Sequence, residues 1–130
     1  MTDSSDEQGD LLDLSYIRRT FIETGAINIL RESIPVFELQ CRFHLIRLCD
    51  MFHQGDEIEM RQQLHKLQGM SGALGARRLQ RLLKRFETAA TATENNQANI
   101  VLDEMEQAVT QTIEALIRQC ACRDAGTGSG

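Results

Sequence analysis

From Ile27 to Phe52 the chain repeats one pattern. Ile27, Leu30, Ile34, Phe37, Cys41, His44, Leu48 and Phe52 recur at intervals of three and four. That rhythm marks an amphipathic α-helix with one apolar face. A helix this long draws most of its stability from packing that face, so the chain must supply helices of comparable length to cover it. A single proline in 130 residues, no tryptophan and one tyrosine fit an all-α chain. The proline, Pro35, sits inside the run, where it removes a backbone donor; a kink or short break is expected between Glu32 and Pro35.

The same segment carries a second apolar row, Leu39, Phe43 and Ile46, on the opposite face. Left bare, such a row invites association. The expectation is that a first helix folds back over it; cover by a partner is the alternative.

The rest of the chain divides at clear signals. A first helix spans about Leu11 to Glu23, with Leu14, Ile17 and Phe21 as its stripe, Asp10 or Asp13 as its cap and Thr24-Gly25 as its stop. Gly55 ends the long helix, and Asp56 followed by Glu59 resembles a capping box. A third helix follows, with Met60, Leu64, Leu67, Ser71 and Leu74 inward and Gly75 just past its end. A fourth runs from Ala76 to about Ala92, its stripe Leu79, Leu82, Leu83, Phe86 and Ala90, its outer face basic with Arg77, Arg78, Arg81, Lys84 and Arg85. A fifth, from Gln97 to Cys120, uses Leu102, Met105, Val109, Ile113, Leu116 and Cys120. The expected fold is therefore an antiparallel four-helix bundle with an additional N-terminal lid helix. Residues 1–10 read as a disordered N-terminus, 11–122 as the bundle and 123–130 as a flexible tail.

Several function classes fall away. A net charge of −5 disfavours a general nucleic-acid binder, and no apolar run approaches a membrane span. The polar N-terminus does not read as a signal peptide, so the four cysteines are expected to be reduced thiols in a cytoplasmic protein. There is no phosphate-cradling Gly-x-x-x-x-Gly-Lys loop and no paired acidic and histidine repeat for two metals. Cys41/His44 and Cys49/His53 have helical spacing but do not share one face, so no metal is expected.

One residue remains with a distinctive setting. His65 lies on the third helix, well round from the apolar stripe, and Gly69 and Gly72 share its face. Each glycine inside a helix costs about 1 kcal/mol relative to alanine, so two beside an exposed imidazole suggest clearance. A solvent-exposed imidazole offers a neutral nitrogen at pH 7 and can form covalent intermediates, including a transferable phosphoryl adduct. Lys66, Gln68 and the basic start of the fourth helix, Arg77 and Arg78, are candidates to balance its charge. His44 reads as a core-edge residue satisfied by hydrogen bonds, and His53 as a cation suited to a helix C-terminus.

The segment His65 to Ala76, HKLQGMSGALGA, followed by Leu79 and the pair Phe86-Glu87, resembles the histidine-containing phosphotransfer (HPt) domain. That pattern is roughly His-x-Leu-Lys-Gly, a small-residue segment, Leu-Gly-Ala, and a Leu-Glu pair one helix later. His65, Leu67, Gly69, Leu74, Gly75, Ala76 and Glu87 match it, and the resemblance covers roughly Leu14 to Gln119. It implies that His65 takes a phosphoryl group on its outer ring nitrogen from the aspartyl phosphate of a response-regulator receiver domain and passes it to another. It also implies a hybrid sensor histidine kinase as a further partner, Mg²⁺ supplied by the receiver, no cofactor and no kinase activity of its own, and a monomer. A non-catalytic bundle that docks and blocks a receiver or kinase is the alternative. Three positions depart from the pattern: Gln68 replaces a lysine, Met70 a small residue, and Phe86 a leucine.

Overall fold

The computed structural model describes residues 11–128, with side chains through Ala121. α1 is a helical turn, Leu14–Ile17, that widens into a π-helical turn, Arg18–Ile22. α2 spans Ile27–Gln54, α3 Glu57–Ala73, α4 Arg77–Thr91 and α5 Asn95–Gly128. No strand occurs among the described residues. α3 and α5 each pack on both α2 and α4, which closes an antiparallel ring of four helices around one core.

The inward rows are those the periodicity marks. Leu30, Leu48, Leu67, Leu79, Phe86 and Leu116 have essentially no contact with solvent. Phe86 packs edge-to-face on Phe52, with ring centroids 5.3 Å apart, so the larger side chain in place of leucine is absorbed by an aromatic pair between α2 and α4. α2 runs through Pro35 without interruption; the ring is exposed, so the missing backbone bond lies on the solvent side of the helix.

The turns follow from local chemistry. Gly55 and Gly75 have φ of +76° and +68°, the left-handed region that an L side chain rarely adopts. Each sits where a backbone N–H reaches back five residues. Asp56 N donates to Met51 O at 3.0 Å and Ala76 N to Ser71 O at 2.8 Å, closing the ends of α2 and α3. Asp56 Oδ1 accepts from Glu59 N at 3.1 Å and starts α3.

Two expectations about the first helix are revised. It is not continuous from Leu11; Asp13 breaks the chain, accepts from Tyr16 N at 3.1 Å and starts the helix at Leu14. Nor does it cover the outer row of α2. Leu39, Phe43 and Ile46 are 73%, 55% and 63% exposed. α1 is spent elsewhere: Asp13 N donates to Gly75 O at 2.8 Å and the Tyr16 hydroxyl to Ala73 O at 3.0 Å, so it caps the α3–α4 end of the bundle. There it buries Leu12, Ile17 and Phe21. So short an element cannot close one end and also lie along α2. At the other terminus, α5 continues to Gly128, past Cys120 where its apolar stripe stops. Residues 1–10, read above as disordered, lie outside the described residues, as do 129–130.

Candidate functional site

α3 buries Met60, Gln63, Leu64, Leu67 and Ser71 on one side and turns His65 to solvent on the other. The helix is pinned from both flanks. On the α2 side, Gln63 Oε1 and His44 Nδ1 lie 2.7 Å apart, a hydrogen bond at the edge of the core that satisfies His44 as its position implied. Glu59 Oε2 lies 3.7 Å from an Arg47 nitrogen on the same flank. On the α4 side, Gln80 lies against Gly72: a Cβ built at Gly72 would stand 3.2 Å from Gln80 Nε2. That approach sets α4 close against α3 one to two turns from His65.

The surroundings of the imidazole are open. No described side chain forms a hydrogen bond with His65. One turn away, Gly69 has ordinary helical backbone, and a Cβ placed on it would meet no atom within 4 Å. Nothing inside the molecule requires glycine there. Gly75 is different in kind, since a Cβ there would lie 3.1 Å from Tyr16 Cδ2 and 3.2 Å from Ile17 Cγ1. It is a packing glycine that seats α1. Ile58, two turns before His65 on the same face, is 73% exposed.

The other candidates separate into two groups. Lys66 and Gln68 flank the imidazole: Lys66 lies on the α2 side, three residues from Gln63, and Gln68 on the α4 side, four residues from Gly72. Lys66 is exposed and Gln68 half-buried. Arg77 and Arg78 are drawn elsewhere. An Arg77 nitrogen lies 3.4 Å from Asp13 Oδ1, at the seat of α1. Arg78 donates to Gln111 Oε1 at 2.9 Å, across the groove towards α5. Gln80 and Ile58 border the site without having stood out in the sequence. Only the α3–α4 register identifies Gln80, and only the lack of cover identifies Ile58.

Histidine, cysteine, aspartate and glutamate side chains do not gather in groups of three or more able to hold a metal among the described residues. Cys41 is buried, and burial pushes its thiol up to about 12, which keeps it protonated. Cys49 is raised as well, by burial first and then by Asp50, Glu106 and Asp103. Its Sγ lies 3.4 Å from His53 Nδ1, which also meets the Cys49 carbonyl oxygen at 2.8 Å.

The Hpt domain family model matches residues 27–119, which includes α2, α3, α4 and most of α5. The chain belongs to the Hpt domain family. Comparison with curated proteins and with solved structures returned no match. Hpt domains are helical bundles that act as phosphocarriers in two-component phosphorelays, where they interact with receiver domains, and this chain shares that architecture. None of its described helices is long and apolar enough to cross a membrane.

Proposed function

We propose that His65 is the phosphoryl-carrying residue of this Hpt domain, accepting from the aspartyl phosphate of one receiver domain and donating to the aspartate of another. The observation that carries this reading is the combination of an exposed imidazole with Gly69, a helical glycine that the fold itself does not need. An incoming active site needs that clearance. In the transfer, the lone pair of the outer ring nitrogen, Nε2, attacks phosphorus in line with the departing carboxylate. The N–P bond forms as the P–O bond breaks, the electron pair of that bond leaves on the aspartate, and Nδ1 keeps its proton. The receiver contributes the Mg²⁺, and the reverse reaction on a second receiver empties the carrier.

The α2 flank suits the apolar part of such a partner. Ile29 and Val36 are 59% and 54% exposed. With Met70 and Ala73 of α3 they line an open groove of about 330 Å³. Gln68 brings a hydrogen-bond donor but no charge to the opposite flank, and the exposed Lys66 supplies the cation closest to His65 in sequence.

The test is phosphoryl uptake from a charged receiver, followed as an acid-labile, base-stable label. Uptake by the wild-type chain and complete loss in His65→Gln, with helicity unchanged by circular dichroism, is the expected result. Equal labelling of His65→Gln sinks the assignment. Tight receiver binding with no label on the wild type would leave a docking module in its place.

A further inference from the structure

α2 carries an outer seam that the bundle leaves open. Ile29, Val36, Leu39, Phe43 and Ile46 are each more than half exposed. They stand seven, three, four and three residues apart. That is the 3.5-residue period of a coiled-coil seam, and Glu32 occupies the one seam position that is not apolar. The seam is an outer ridge of the bundle. On one flank an Arg47 nitrogen lies 3.7 Å from Glu59 of α3, and on the other Arg42 donates to Thr110 of α5 at 3.2 Å. Since α2 runs unbroken through this stretch, a second straight helix can lie along roughly 26 Å of it.

The charges along the seam say which helix fits. Glu32 sits near its N-terminal end, and Arg47 flanks its C-terminal end beside Ile46. A second copy of α2 laid antiparallel joins acid to base at both ends. In the register that sets Val36 against Leu39 of the second copy, Ile29 meets Ile46 and Phe43 meets Glu32. Arg47 is one turn from Phe43, and its Cζ lies 6.0 Å from the centre of the Phe43 ring, where the Glu32 carboxylate of the second copy arrives. A parallel pair would set Glu32 against Glu32, a like-charge contact that disfavours it.

We infer that α2 pairs with α2 of a second copy of this chain, antiparallel, through the seam from Ile29 to Ile46. The five seam side chains present roughly 500 Å² of apolar surface, the upper part of the range for a monomer. Two copies bury about 1,000 Å² from these side chains alone, which reaches the size of a specific interface at its weak end. The pair therefore forms as concentration rises; at the dilution of an unfolding titration the chain is single and the seam bare. Ile29 and Val36 also line the groove shared with Met70 and Ala73, so a paired copy covers that groove. Where a receiver docks there to reach His65, pairing and docking compete. The pairing itself does not depend on phosphoryl transfer at His65.

The full-length chain, 14.7 kDa as a single copy, should approach twice that mass in analytical ultracentrifugation as its concentration is raised from micromolar to millimolar. The double variant Leu39→Lys, Ile46→Lys, changed only on the exposed seam, should keep its helicity and stay at the single-copy mass. Glu32→Arg alone and Arg47→Glu alone should each weaken pairing about tenfold, because each sets like charges together at both ends. An equimolar mixture of those two variants should pair as wild type does, since acid again meets base at both ends. A single-copy mass at every concentration overturns the proposal. So does pairing that survives Leu39→Lys with Ile46→Lys, which would lie on another face. Weakening by the charge reversals without rescue on mixing overturns the antiparallel register. A chain that stays single but binds a receiver domain, and loses that binding in the double variant, gives the seam to the receiver instead.

Discussion

α2 and α4 flank the same histidine helix, yet their outer faces are opposites. α4 has one apolar stripe and a charged back, so its sequence pattern states its whole role: bury Leu79, Leu83 and Phe86, and show arginine to water. α2 has two apolar rows. Ile34, Cys41 and Leu48 face the core, while Leu39, Phe43 and Ile46 face out. The contrast teaches that apolar periodicity shows which residues share a helix face, but not which face is buried. On α4 charge breaks the tie. On α2 it is broken by where α1 goes, and α1 goes to Gly75.

The strongest way to break this comparison is to truncate one leucine from each row of α2. Leu48→Ala, in the fully buried row, should cost about 2–5 kcal/mol by urea unfolding, whereas Leu39→Ala should stay within about 0.5 kcal/mol. Equal losses would show that something covers the outer row in solution. Next in size is Gly75→Ala. Its left-handed backbone and the close approach of Tyr16 and Ile17 should together cost about 1–3 kcal/mol, and exchange of the Asp13 amide should accelerate as α1 lifts. Unaltered exchange at Asp13 would mean that Gly75 does not seat α1.

Gly69→Ala probes the face between the two flanks and carries the opposite sign. The open space around Gly69 and its helical backbone predict a gain of about 1 kcal/mol in stability. If Gly69 serves as clearance, phosphoryl transfer slows in the same variant; a more stable protein with undiminished transfer removes that role. The smallest effect concerns thiol chemistry. With its thiol at about 12, Cys41 exposes about one thiolate in ten thousand at pH 8, so native-state alkylation should reach Cys49 first and Cys41 only after unfolding. Both groups are raised, so labelling of each should climb with pH through the alkaline range, in mass spectra of proteolysed samples.

Much of the fold was legible in the chain because helix signals are local. The stripe of α3, the cap at Asp56 and the stop at Gly75 each depend on a few adjacent residues, and the structure places them where the spacing does. His65 was legible for the same reason: its angle from Leu64 and Leu67 follows from helix geometry alone. The apolar count of α2 did not reveal that its second row stays bare, since the row looks the same whether a lid covers it or not. Arg78 was equally opaque. Its sequence neighbourhood suggests a cation near the histidine, but its bond to Gln111 places it on the far flank of α4.

The sequence by itself determined the helical class, the inward faces of α3, α4 and α5, the turns at Gly55 and Gly75 and the outward histidine, because each is set by contacts within one or two turns of chain. Tertiary structure decided the rest: α1 at the end of the bundle, Gln80 against Gly72, Arg77 on Asp13, and an apolar flank and a basic flank on either side of His65. Those depend on which helix lies beside which and in what register. Packing between residues distant in the chain sets that arrangement, and no local pattern encodes it.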